Sequence, residues 1–107
     1  MKLEPHAAVL AQDLPAIYSF IAKADPNAAE RVLDAVERTF ETIAHQPVSG
    51  VRYSTRNPLL QNVRMLPVHD FPNYLVFYRI EGTAIQVLYV VHGARDLPRL
   101  FRSEPRG

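Results

Sequence analysis

The side chains best able to do chemistry stand at the ends of strand-forming runs in the second half of the chain: His69, Asp70 and Asn73, then His92, Arg95 and Asp96. An imidazole beside a carboxylate is the usual make-up of an acid–base pair or a metal site. The spacing does not favour metal, because no His-x-x-His or similar ligand pair occurs. The run His92-Gly93-Ala94-Arg95-Asp96 reads as readily as a strand-ending turn closed by an Arg–Asp ion pair. A second polar group is Arg64 with Tyr78. Arg64 lies between Val63 and Met65, where an unpaired guanidinium would be costly, so it needs an anion: Glu81 or Asp96 internally, or a carboxylate of another chain.

No phosphate-binding glycine loop, nucleophile elbow or dinucleotide turn is present, and the four glycines are isolated. Neither a metal nor a cofactor is expected. The absence of cysteine removes disulfides and thiolate chemistry and suits a cytoplasmic protein. No apolar run approaches the roughly 20 residues of a membrane span, and the N-terminus lacks the apolar core of a secretory signal.

The elements that must position these groups follow from periodicity. In residues 25–47, Asp25 sits at an N-cap, Pro26 at the first helical position, and Ala29, Val32, Leu33, Val36, Phe40, Ile43 and Ala44 recur at helical spacing. The opposite face is charged, with Asp34 and Arg38 an i,i+4 pair. Upstream, Leu14, Ile17, Tyr18 and Ile21 predict a helix over residues 13–23 that starts at Asp13 and Pro15 and packs antiparallel on the next. Residues 2–4 suit a short edge strand and residues 7–12 an extra helical turn; the sequence leaves that boundary open.

After Pro47 the pattern turns polar and Arg-rich, a loop over residues 51–58. Strand-like runs follow at residues 61–68, 74–80 and 84–92, a three-stranded antiparallel meander. Pairing Val68 with Tyr74 and Glu81 with Ala84 puts Arg64 opposite Tyr78, Tyr78 beside Val87 and Asn73 beside His92. The expected fold is α+β: one domain over residues 1–107, with a helix hairpin covering one face of an antiparallel sheet. Residues 96–101 suit a helical turn that points Leu97, Leu100 and Phe101 inward, and residues 103–107 a fraying tail.

Charge is segregated along the chain. Residues 1–50 carry four basic and seven acidic side chains, net −3, whereas residues 51–107 carry eight arginines against four acids, net +4. An arginine-only surface suits carboxylates or phosphates. A net of +4 is modest for a dedicated nucleic-acid binder, which favours an acidic protein partner.

Several motifs, in order and with matching spacing over residues 13–101, resemble the ParE toxins of type II toxin–antitoxin modules, within the RelE/ParE superfamily. They are Asp13-Leu14-x-x-Ile17-x-x-x-Ile21, Asp25-Pro26-x-Ala28-Ala29-x-x-Val32, Pro47-x-x-Gly50, the run from Val63 through Val68, the run from Phe71 through Arg79, and Val91-His92-Gly93-Ala94-Arg95-Asp96. The Tyr78-Arg79 pair and the His-Gly-x-Arg-Asp ending are the most specific parts. The resemblance implies a growth inhibitor held inactive by a ParD-like antitoxin, whose ribbon-helix-helix domain binds operator DNA while its C-terminal segment wraps the toxin. It further implies DNA gyrase as target. RelE-type relatives instead cut mRNA on the ribosome, with Lys, Arg and a late Tyr.

Only part of that nuclease set can be matched here. Lys is absent after position 23, and Leu100 and Phe101 stand where the late Tyr is expected, leaving Arg64, His92 and Arg95 as the nuclease alternative. For target contact the sequence nominates Arg64, Tyr78, Arg79, His92, Arg95 and Asp96. For the antitoxin it nominates Arg64, Tyr78, Arg95, Ile17 and Phe40, beside an apolar groove that receives an amphipathic acidic segment.

Overall fold

The computed structural model describes residues 1–103 and Arg106. Helix α1, Leu14–Ala22, is not started by Asp13. Residues 7–13 are already helical, with a wide π turn over Val9–Asp13 in which the Leu14 N–H donates to the Val9 carbonyl. Pro15 accounts for the widening: it offers no N–H to the carbonyl of residue 11, and in a regular turn its ring would clash with that carbonyl. Asp13 is therefore a helical residue (φ −66°, ψ −54°) with no capping bond, and its carboxylate is available for another role.

Asp25 does cap the next helix. Its carboxylate accepts from the Asn27 and Ala28 N–H groups at 3.0 and 3.2 Å, and α2 runs Pro26–His45. The buried stripe of α2 is Ala29, Val32, Ala35, Val36, Thr39 and Ile43, with Phe40 half-buried at its margin.

The meander expected from the sequence is the centre of a larger sheet. Five strands, β1 (Lys2–Pro5), β2 (Val51–Arg52), β3 (Arg64–Val68), β4 (Phe71–Glu81) and β5 (Ala84–His92), lie in the order β1-β5-β4-β3-β2. β1 joins β5 in parallel, and β2, expected as loop, pairs antiparallel with β3. Arg64 opposes Tyr78, Tyr78 opposes Val87 and Glu81 opposes Ala84, as the register arithmetic requires. Elsewhere two irregularities move the pairing. His69 and Asp70 alone turn the β3–β4 hairpin, with Asp70 left-handed at φ 63°, so Val68 meets Phe71 and not Tyr74. A bulge at Phe77/Tyr78 brings Tyr74, not Asn73, opposite His92.

That bulge also decides the core. It resets the alternation of β5, so that Val87 and Val90 both face the helices with Val76, Tyr78 and Ile85, while Leu88, Tyr89 and Val91 face away. The far face is not left to solvent. Leu60 and Val63 from the β2–β3 connection and Leu100 and Phe101 from helix α3 (Leu97–Ser103) cover it, with the Phe101 ring edge-on to Phe77 and Tyr53. The fold is of the α+β class expected from the sequence, and the sheet is clothed on both faces, by the helix hairpin on one and by α3 with the β2–β3 connection on the other.

Arg38 does not pair along its helix with Asp34; it reaches Asp70 in the β3–β4 turn at 3.0 Å. Thr39 supports the same turn, its hydroxyl accepting from the His69 N–H at 3.0 Å. The fraying expected of residues 103–107 falls largely on Glu104, Pro105 and Gly107, outside the described residues, but Arg106 is anchored and only 7% exposed.

Candidate functional site

β1 accompanies β5 only as far as Val87, so the rest of the β5 edge needs other partners for its backbone. Asp13 supplies one, accepting from the Val90 N–H at 3.0 Å. Arg106 supplies another, donating from Nη1 to the Leu88 carbonyl at 3.1 Å. The two side chains bind each other through paired contacts of 2.6 and 3.1 Å, and the guanidinium lies 4.5 Å from the centre of the Tyr89 ring.

Next to this capped edge a groove of about 550 Å³ opens between α1 and β5. Ala16, Ile17 and Phe20 form one wall, Tyr74 and Val90 the floor, and His92, Ala94 and Arg95 the far lip, while Asp13 and Arg106 reach it at the capped edge. Phe20 is 71% exposed, a large aromatic left outside the core. The polar groups are few and oriented. His92 Nδ1 accepts from the Ala94 N–H at 2.9 Å, so the neutral ring carries its proton on Nε2 as a donor. The His92 ring stands edge-on to Tyr74 with centroids 5.0 Å apart. Burial pushes the Tyr74 hydroxyl above its ordinary value of 10.0, so it is a neutral phenol and a poor base. Such a surface can receive an apolar segment and steer its carboxylates to Arg95.

Of the nominated residues, Ile17, His92 and Arg95 line this groove and Phe40 lies under the helix pair. Asp96 does not pair with Arg95; it caps α3 by accepting from the Arg99 N–H at 3.3 Å. His69 and Asp70 belong to the α2 side, with His69 Nε2 3.3 Å from the Thr42 hydroxyl. Among the described residues no cluster of three His, Cys, Asp or Glu side chains could hold a metal ion.

Arg64 and Tyr78 lie elsewhere, four residues along β4 from Tyr74, about 13 Å at strand rise. Tyr78 is 0% exposed, and its hydroxyl donates to the Pro47 carbonyl at 2.7 Å while accepting from the Gly50 N–H at 2.8 Å. Arg64 donates to the Gly50 carbonyl at 2.8 Å. Neither Glu81 nor Asp96 is its partner: Arg79 takes Glu81, with Nε and Nη2 both 2.7 Å from Oε1, and also donates to the Leu59 carbonyl at 2.6 Å. Tyr78 and Arg79 thus fasten loops, and the trio Arg64, His92 and Arg95 is not assembled at one point.

The sequence reading did not nominate Phe20, Tyr74, Asp13 or Arg106. Phe20 left a signal, being apolar yet off the stripe of Leu14, Ile17 and Ile21.

Comparison with known proteins agrees with this architecture. The family model described as "ParE toxin of type II toxin-antitoxin system, parDE" matches residues 7–97. A curated relative from Sinorhizobium fredii (strain NBRC 101917 / NGR234), which carries the name "Putative toxin Y4kP", is 31% identical over 88 residues, covering 82% of this chain and 84% of that protein. A solved structure titled "Chromosomal ParDE TA system from P. aeruginosa" shares the fold with a TM-score of 0.68 at 22% identity, covering 86% of this chain and 95% of that one. With the family model matched over most of its length, the chain belongs to the ParE toxin family of type II toxin–antitoxin systems.

Proposed function

We propose that this chain is the toxin of a two-component module, that the α1/β5 groove receives the C-terminal segment of a ParD-like antitoxin, and that the freed toxin acts on DNA gyrase. The single observation that supports the antitoxin site is the apolar groove with Phe20 exposed on one wall and Arg95 on the opposite lip. An amphipathic acidic segment buries its apolar side there and turns its carboxylates to the cation. A neutralising partner need only cover the groove. Operator DNA is contacted by the antitoxin. The module carries no cofactor, and no described helix is long and apolar enough to cross a membrane.

Expression of the chain alone tests the target. The expected result is filamentation with accumulation of cleaved DNA, relieved by co-expression of an adjacent ribbon-helix-helix gene, and inhibition of purified gyrase in a supercoiling assay. Translation arrest with cut mRNA and unimpeded supercoiling would replace gyrase by the ribosome as target.

A further inference from the structure

The opposite edge of the sheet carries a second polar arrangement. β2 is the terminal strand, and its Arg52 stands directly across from Arg64 of β3. Directly opposed residues share a face with Cβ atoms about 5 Å apart, and like charges in that relation repel. Neither arginine has an ion pair among the described residues, whose pairs are Lys2–Glu4, Arg31–Asp25, Arg38–Asp70, Arg79–Glu81 and Arg106–Asp13. The only hydrogen bond either guanidinium makes among the described residues is Arg64 Nη1 to the Gly50 carbonyl. The pair lines a hollow of about 210 Å³ with Asn62 and Ile80, and Asn62 is held left-handed at φ 63°, a conformation uncommon outside glycine.

Charge on a short strand guards an exposed edge against pairing with another strand. Two arginines opposed at one register position carry a repulsion that such protection does not require, and an anion between them would remove it.

We propose that Arg52 and Arg64 form a carboxylate clamp for an acidic segment of a partner protein, distinct from the α1/β5 groove. The surroundings favour a protein over a nucleic acid. The nearby Tyr53 is packed edge-on against Phe77 and Phe101, so no aromatic face is offered for base stacking. The clamp stands on β2 and β3 and the groove on β5 and the Tyr74 end of β4, about 13 Å away along β4, so the two sites share no residue.

The test uses the full chain, isotope-labelled and titrated with a blocked dodecapeptide of alternating Glu and Leu at low salt. The peptide shifts the resonances of Arg52, Asn62 and Arg64. Arg52→Gln weakens its binding at least tenfold, yet leaves the melting temperature of the free chain unchanged or raised, because one repelling charge is gone. A lowered melting temperature would make Arg52 a structural residue and overturn the clamp. Shifts confined to Ile17, Phe20 and His92 would overturn it too. So would tighter binding of a 20-bp DNA duplex that the same substitution abolishes, in favour of phosphate, or self-association lost in that variant, in favour of the acidic α2 face of a second copy. The groove reading is tested apart from this, since Phe20→Asp should leave the dodecapeptide shifts at the clamp intact.

Discussion

At the β5 side of the sheet an arginine is buried against a carboxylate, whereas at the β2 side two arginines face each other with no carboxylate paired to either among the described residues. Both sites finish an edge that lacks a neighbouring strand, and they do so with opposite balances of charge and burial. Arg106 and Asp13 satisfy the Leu88 carbonyl and the Val90 N–H, so the groove beside them is left mostly apolar, with its charge at the lip. Arg52 and Arg64 leave their charge unspent at the surface. The first site should select a partner by apolar shape, and the second by charge.

The largest effect should come from breaking the buried pair. Asp13→Asn keeps the side chain's shape but leaves the Arg106 guanidinium without its counter-charge, and losing one member of a buried ion pair costs about 3–5 kcal/mol. Arg106→Met should cost at least as much, since it leaves the buried Asp13 carboxylate without its counter-charge and removes the donor to the Leu88 carbonyl. Urea denaturation of the three proteins checks the order; equal midpoints for wild type and Asp13→Asn would mean that the pair does not secure this edge.

Next in size is Phe20→Asp. An exposed residue loses little on substitution in the free chain, so the melting temperature should hold. Affinity for the antitoxin should fall about a hundredfold, close to 2.8 kcal/mol. Calorimetry of the purified pair measures it, and Arg52→Gln serves as the contrast that leaves this affinity in place. A Phe20→Asp protein that binds its antitoxin normally would move the antitoxin away from the groove.

At the β2 side the corresponding break is Gly50→Ala. A Cβ there would meet the Tyr78 hydroxyl oxygen at 2.6 Å and its Cε1 at 2.8 Å, and Tyr78 is fixed within β4. Overpacking of this kind costs about 1–3 kcal/mol. Because the Gly50 carbonyl also orients Arg64, acidic-peptide binding should weaken together with stability while antitoxin affinity holds. Unaltered stability in a urea titration would show that the loop yields freely and does not position the arginine.

The fold was more legible in the sequence than either site, for reasons that differ by residue. Asp25 followed by Pro26, and the stripe from Ala29 to Ile43, are local signals, and α2 follows them. Arg64 opposite Tyr78 and Tyr78 opposite Val87 follow from strand arithmetic near the β4–β5 turn. Farther along the hairpin the arithmetic slips by a residue at the bulge, which no residue type announces. The Asp13–Arg106 pair joins positions 93 residues apart, beyond the reach of any periodicity. Arg64 shows the limit most clearly. Its need for a partner is readable from Val63 and Met65, but the internal carboxylates Glu81 and Asp96 are engaged elsewhere, and the structure gives it a backbone carbonyl and a facing arginine.

The smallest effect concerns Tyr74 on the groove floor. Burial raises its hydroxyl above 10.0, so the folded chain holds this proton more tightly than the unfolded chain does. The resulting stability is fully present below the unfolded value near pH 10 and is lost as pH rises through the folded one. Tyr18 shifts in the same direction, first because its hydroxyl donates to Glu30 at 2.9 Å and then through the Glu30 charge, so the two must be separated by single substitutions. Urea midpoints measured from about pH 9 to about pH 11 should fall less steeply in Tyr74→Phe than in wild type. If the antitoxin segment fills the groove and buries Tyr74 further, the decline in the complex should start at the same pH and continue to a higher one. A Tyr74→Phe protein with the wild-type slope would leave the phenol as solvated as a free tyrosine and the groove floor wetter than its apolar lining implies.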